Sequence, residues 1–437
     1  MGEFCLKKSR FGVGKIKDLI TCRLFPRSYG YSVIVRKWDW LSLQKAHSRR
    51  IRVIQKAGKA RVFFVVSQLA MWRLDDVFRI LKEDERFDAK LVICPFSTFS
   101  PEQRKTCVEE LIAHCRKTGW NFLDKSDYEN SADLIAEFQP DIIFYPQLYE
   151  HLFNNELDCE KNLDRLIAYV PYGLPTVSGE WMYNSRFMNT VWKLYFPTAL
   201  HLKYARKHSF NRARNMEIVG DPHAAAFSKP DHQYGWKNPG AKRIIWAPHF
   251  SVIDEGHLHR ASFLEIHQLM WDLAQLFKNE TEFVFKPHPR LLSELYRHPD
   301  WGKARTDAYF ALWENGENTQ LETGTYVDLF CTSDALIHDC GSFTAEYLYT
   351  GKPVLFVSPA FRSVYEGLDT FGSLCLDLHY QARNASDIQD FLKDVVLNGN
   401  DPKKKEREAF CKRYLLPDNS SSFAQNVYHS LTKSLFR

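Results

Sequence analysis

The chain has 437 residues, 45% of them hydrophobic and 25% charged, with a formal net charge of +5. That length exceeds what one core usually organises, so two globular domains are expected. No apolar run approaches the ~18 residues of a membrane-spanning helix, and nothing after Met1 reads as a secretory signal. Ten cysteines are scattered without a CxxC pair. They read as reduced thiols in a cytoplasmic protein rather than as a disulfide framework.

Residues 1–61 hold 16 Lys and Arg against Glu3, Asp18 and Asp39, a net of +13, so the remainder carries −8. A basic arm on an acidic body fits an anionic partner surface, either membrane phospholipid or a polyanionic acceptor. No nucleic-acid-binding motif accompanies it, so nucleic acid is not expected as a partner. Residues 1–60 are otherwise irregular, with helical stretches expected around 12–24 and 40–57. Aromatic residues such as Phe4, Phe11, Trp38 and Trp40 favour docking at an interface.

From Arg61 the pattern becomes regular. Val62–Val66, Ala89–Cys94, Asp141–Tyr145 and Ala168–Val170 read as strands. Asp75–Asp84, Pro101–Arg116 and Ser131–Phe138 read as the helices between them. Short strands at Tyr195–Pro197 and Glu217–Val219 close this half. A Pro-, Gly- and His-rich stretch at 226–241 reads as a linker. The alternation then restarts with a strand at Arg243–Trp246 and a helix at Ser262–Phe277. Helices are expected at Ser386–Leu397, with Ser386 as N-cap, and at Lys403–Tyr414 and Ser421–Phe436. Alternating strands and helices predict an α/β protein: two doubly wound Rossmann-like domains facing a cleft, with a basic N-terminal extension. The boundaries are 1–60, 61–225, 226–241, 242–415 and a C-terminal helix over 416–437.

Two stretches carry chemistry. Phe283-Val284-Phe285 is a strand that ends in Lys286-Pro287-His288-Pro289-Arg290. Two prolines stiffen this corner, which offers Lys286, His288 and Arg290 to an anion. The second stretch is Ala335-Leu336-Ile337, a strand that feeds the turn His338-Asp339-Cys340-Gly341-Ser342. A helix opens near Ser342, so backbone N–H groups and the helix dipole favour a phosphate there. Ser342 would serve equally well as a plain N-cap. Glu346 lies one turn on, on the same face, within reach of a ribose hydroxyl. Both turns follow strands, where open α/β sheets bind ligands.

These segments resemble the CDP-glycerol glycerophosphotransferase family, the transferases of teichoic acids and related capsules. The resemblance rests on Lys286 to Pro289, Tyr326 to Asp328, Asp334, Asp339 to Ser342, Glu346 and Lys352-Pro353, and covers residues 243–360. It implies the GT-B architecture, with an acceptor domain over 61–225 and a nucleotide-donor domain over 242–415. The implied reaction moves a phospho-alditol from a CDP-activated donor to a polyanionic or lipid-linked glycan acceptor, without a cofactor. Lys286, His288, Arg290, Asp339, Gly341, Ser342 and Glu346 would bind the donor. The implied setting is the inner face of the cell membrane, reached through residues 1–60.

The chain departs from the family at three points. Tyr172 stands where the family has its histidine base, His223-Ala224-Ala225 replace an arginine-asparagine-aspartate run, and His249 replaces a threonine. A tyrosine of pKa near ~10 is a poor base, which leaves His249, His223 and Glu180 as candidates. His249 directly follows a strand and is preferred, so the catalytic set is His249, Tyr172 and His288. His249, His257, His259 and His267, with Asp254 and Glu255, invite a metal reading, but their spacing matches no known site and no metal is expected. Two other functions fit the same fold: a nucleotide-sugar glycosyltransferase, and a non-catalytic scaffold that binds nucleotide or glycan.

Overall fold

The strands of both halves are short apolar runs buried on both faces, as parallel strands covered by helices must be. The computed structural model describes residues 29–127, 131–147, 153, 155–252, 261–358, 364–416 and 422–436. The first sheet contains β1 (Ala60–Val66), β2 (Phe87–Ile93), β3 (Phe122–Asp124), β4 (Ile142–Tyr145), β5 (Leu166–Tyr169), β6 (Lys193–Phe196) and β7 (Met216–Ile218). The second contains β8 (Lys242–Ala247), β9 (Thr281–Phe285), β10 (Thr319–Leu321), β11 (Ala335–His338), β12 (Val354–Val357) and β13 (Tyr380–Ala382). Their orders are β3-β2-β1-β4-β5-β6-β7 and β10-β9-β8-β11-β12-β13. Every pairing within the two sheets is parallel. Each sheet winds outward from its first strand, then reverses, giving the two Rossmann-like domains that the alternation predicted. The switch points lie between β1 and β4 and between β8 and β11. The edge strands β3, β10 and β13 were missed by the sequence reading, since three residues show no period.

Helix α1 (Tyr29–Ala57) is longer than the helix expected over 40–57. Gly58 stops it in the left-handed conformation, its N–H bonded to Ile54 O at 2.8 Å. The helix runs beneath the amino ends of the first sheet. Asp39 pairs with Arg186 ahead of β6. The His47 ring bonds Leu163 O ahead of β5, Arg50 pairs with Asp141 ahead of β4, and Ile54 joins the core. The helix expected over 12–24 lies outside the described residues. Among the described residues no helix is long and apolar enough to cross a membrane.

The C-terminal helix α4 (Phe423–Leu435) crosses back to the first domain. A capping box between Ser422 and Gln425 starts it. Its Ala424, Val427, Leu431 and Leu435 pack with Val77, Phe78 and Ile54. Asn384 rather than Ser386 caps the helix at Ala385–Asp390, with its side chain accepting the Asp387 N–H.

A loop of the first domain, residues 174–178, is built into the second. Leu174 lies in the core cluster with Ile245, Leu336 and Ala345. Val177 pairs antiparallel with Leu368, and Thr176 O accepts the Asp369 N–H at 2.9 Å. The buried Tyr183 hydroxyl donates to Asp369. A Cβ at Gly372 would fall 2.2 Å from Thr176 O, so only glycine lets the backbones approach this closely. Gly372→Ala is therefore expected to cost about 2 kcal/mol through this overlap. Chemical denaturation should show a lowered midpoint; an unchanged midpoint would mean that the seam yields.

Candidate functional site

The carboxyl ends of β9, β8 and β11 lie side by side and almost level: Trp246 is opposite Phe285, and Ala247 is opposite His338. Three turns leave this edge. Pro248 ends β8, since it has no N–H to donate. The Lys286 N–H still reaches Trp246 O at 2.8 Å and the His288 N–H reaches Pro248 O at 3.0 Å, so the Pro-His-Pro corner is strapped to the β8 turn. The His249 and His288 rings meet edge to face at 5.2 Å, with Phe250 beside both. The Arg290 guanidinium lies 4.0 Å over the Phe250 ring and also pairs with Glu294. Lys286, His288, Arg290 and His249 thus form one cluster.

Asp339 ties the third turn to it. Its Oδ1 accepts the His249 N–H at 2.6 Å, and its Oδ2 accepts the Ser262 N–H and hydroxyl at 2.6 and 2.7 Å. Both oxygens are engaged by the protein. Asp339 therefore acts as a clamp, not as the donor ligand expected from the sequence. Gly341 and Ser342 follow, both exposed. Ser342 is helical in backbone and makes no side-chain cap bond, so the plain N-cap reading does not hold. Helix α3 (Phe343–Glu346) has only four residues before it tightens into a 3-10 turn at Tyr347–Thr350. Its dipole is correspondingly weak, and anion binding rests on the side-chain cations instead.

Burial sets the charges. Lys286 is 6% exposed, with Nζ bonded to Gly324 O at 2.7 Å. Desolvation pushes its pKa down to about 8, against the pull of Glu322. Desolvation and the nearby His249, Arg290 and Lys286 push His288 down to about 3. His288 is thus a neutral imidazole, and the positive charge of the corner comes from Lys286 and Arg290. Burial also lowers the pKa of His249, opposed by Asp339. Its Nδ1 pairs with Ser251 Oγ at 2.9 Å, and Nε2 has no partner among the described residues.

Glu346 does not open onto the cluster. It is 2% exposed and faces the domain seam, where an added Cβ at Gly173 would stand 3.3 Å from its Oε1. Tyr326 hydrogen-bonds it, and burial raises its pKa. Next to it, Arg73 Nε–H donates to His223 Nε2 at 2.7 Å, and His223 Nδ1 lies 3.1 Å from Asp221 Oδ1. The Arg73 bond requires an unprotonated Nε2, so His223 carries its proton on Nδ1. Tyr349 donates to the other oxygen of Asp221 at 2.7 Å. This makes His223 a buried member of an interdomain network rather than a reachable base. Arg73 was missed, although it follows β1 at a carboxyl edge and the same rule that found Lys286 applies to it.

Tyr172 is 39% exposed on the first domain's side. Its loop touches the serine turn, where Thr176 Oγ1–H donates to Gly341 O at 3.4 Å. Lys352 Nζ donates to Cys331 O and Ser333 O, and Asp334 accepts the Arg243 N–H, so both brace the fold. His267 packs against Trp301 and Tyr309. His257, His259, Asp254 and Glu255 lie outside the described residues, as does the Glu180 side chain. Among the described residues no group of His, Cys, Asp or Glu is placed to hold a metal ion.

Known proteins share this fold. The fold matches a structure of the wall teichoic acid polymerase TagF at 12% identity and TM-score 0.56, over 98% of both chains. It also matches S. aureus MnaA with UDP (12%, TM-score 0.54, 86% of this chain and 97% of that one). A UDP-GlcNAc 2-epimerase from Methanocaldococcus jannaschii matches at 13% and TM-score 0.53, over 85% and 99%. Such identities show a common fold and no more. Searched against curated protein sequences, the chain finds no match. The family model of CDP-glycerol:poly(glycerophosphate) glycerophosphotransferase matches residues 230–415, which include the whole cationic corner, its Asp339 clamp and the serine turn. Over those residues the chain is similar to the CDP-glycerol glycerophosphotransferase family.

Proposed function

We propose that the chain transfers a phospho-alditol, glycerol phosphate or similar, from a CDP-activated donor to a hydroxyl of a surface-polymer or glycan acceptor. The observation that carries this reading is the cluster of Lys286, His288, Arg290 and His249 within the family-matched residues. The pyrophosphate would lie against Lys286 and Arg290, with His288 as a neutral hydrogen-bonding partner and the Gly341-Ser342 turn beyond. An acceptor hydroxyl attacks the phosphorus that bears the alditol. The bond to the bridging oxygen breaks and CMP leaves with the electron pair, its charge offset by Lys286. The hydroxyl proton goes to Nε2 of His249 in the tautomer whose Nδ1–H donates to Ser251 Oγ, displacing the longer Ser251 N–H contact to Nδ1, and burial keeps that ring neutral. Tyr172 lines the acceptor side. Seven cations against Asp39 along α1 support an anionic membrane face as the place of work.

A non-catalytic nucleotide-binding scaffold is the second reading, favoured by Tyr172 in place of the family's histidine. His249→Ala separates the two. Turnover is expected to fall at least a hundredfold, with donor affinity retained. Unchanged turnover would remove His249 from the chemistry, and no turnover in the unaltered protein would favour the scaffold.

Thermal shift with CDP, CMP and UDP compounds tests the donor, since a ligand of the folded state raises its stability. CDP-alditols should give the largest shift, and a preference for UDP-sugars would contradict the assignment. The depressed Lys286 pKa adds a pH signature. The ammonium is charged below about 8 and neutral above it. Donor affinity should therefore fall as pH rises through that range, and Lys286→Arg should flatten the decline. Calorimetric titration across the mildly alkaline range reads this directly; an affinity independent of pH would mean that Lys286 does not meet the pyrophosphate.

A further inference from the structure

We infer that an anionic bilayer is bound by a two-part basic face on the amino side of the first sheet, built from α1 and residues 203–214. This deepens the membrane reading above and rests on it, but adds a second segment and an orientation. The outward side of α1 exposes Lys37, Lys45, Arg49, Arg52 and Lys56, and Trp38 is 60% exposed among them. Its sole acid, Asp39, is taken by Arg186.

The second segment is helix α2 (Ala199–His208) with the loop that follows it. Lys203, Arg206, Lys207, Arg212 and Arg214 are all exposed, and no acid occurs between Ala199 and Met216. None of the five forms an ion pair among the described residues, whereas cations elsewhere on the surface do, such as Arg79, Lys161 and Lys303. The loop is built rather than loose. Arg212 and Ala213 hold φ of 55° and 53°, a conformation costly for residues other than glycine. Buried Asn211 and its neighbours maintain it, bonding Asn189, Asn215 and the Ala213 N–H. The loop thus holds Arg212 and Arg214 exposed on either side of buried Ala213. The Arg214 guanidinium lies 5.8 Å over the Trp40 ring of α1, so the two segments are continuous.

A long surface helix with a cation at nearly every turn and an exposed tryptophan suits a flat, negatively charged interface. A linear polyanion would be better served by a groove. The orientation follows from topology. The basic face lies at the amino ends of the strands and the candidate site at the carboxyl ends. The first sheet's carboxyl side meets the site where Thr176 bonds Gly341 O, and the seven residues of β1 set the two edges of that sheet about 23 Å apart. A docked molecule therefore turns its site away from the bilayer, and the acceptor must be a chain long enough to carry its reactive hydroxyl across that gap.

The test uses the full chain with three substitutions outside α1: Arg206→Glu, Arg212→Glu and Arg214→Glu together. Co-sedimentation with phosphatidylcholine vesicles, with and without phosphatidylglycerol, reads the docking. Each cation near an anionic surface contributes about fivefold, so the triple variant should bind phosphatidylglycerol vesicles at least a hundredfold more weakly. Binding equal to that of the unaltered protein overturns the proposal. So does a variant that keeps vesicle binding but loses soluble polyphosphate, since the face would then serve a dissolved polyanion. An unchanged thermal shift with CDP in the variant shows that fold and donor site are intact. Absence of that shift in the unaltered protein would sink the donor reading and leave this one standing. With acceptors anchored in the same vesicles, turnover is expected on extended chains only; equal turnover on a lipid bearing a single sugar overturns the orientation.

Discussion

The site depends on one carboxylate. Asp339 receives three hydrogen bonds, two from backbone N–H groups and one from a hydroxyl, all between 2.6 and 2.7 Å. Charge-assisted bonds of that length are the strong kind. They pull the β8 turn and the start of the Phe263–Leu276 helix onto the β11 turn. The β8 turn in turn holds the Pro-His-Pro corner through Pro248 O. Without this link the cationic corner and the serine turn would be separate features of one edge. With it, His249 is held between them in a fixed orientation, as a proton acceptor must be.

The second constraint is the seam. The 174–178 loop is part of the second domain's packing, and Gly372 lets it in close. The network of Arg73, His223, Asp221 and Tyr349 binds the domains on the other flank. Buried ionic groups of this kind stabilise little in themselves, but removing one partner strands the others. The cleft is therefore largely pre-assembled, and binding energy need not be spent on bringing the halves together. Glu346 belongs to this seam: its Oε2 has no partner among the described residues and its burial favours the neutral acid.

Much of the fold was legible because the central strands are dense in Val, Ile and Phe. The edge strands β3 and β10 were not, since Phe122–Asp124 and Thr319–Leu321 are too short to show alternation. The first turns of α1 were missed for another reason. Tyr-Gly-Tyr-Ser-Val-Ile-Val favours extended backbone, so no helical signal shows there. At the site, Lys286, His288 and Arg290 were legible from their place after a strand. Asp339 was visible as a residue but not as a clamp, since its partners lie 90 and 77 residues away. The Arg73–His223 bond spans 150 residues and leaves no local trace. His288 was read as a charge, and only its burial shows it to be neutral.

The crossing of α4 has a topological consequence. Both ends of the described chain, α1 and α4, lodge in the same domain, so the second domain is an insert within the first rather than a tail appended to it. Two chain passages, one after β7 and one before α4, bracket the insert. A truncation meant to isolate the first domain by stopping at the linker would also strip Val427, Leu431 and Leu435 from its core. The natural unit for exchange between relatives is the bracketed segment, spliced in at both passages while the host keeps its own last helix.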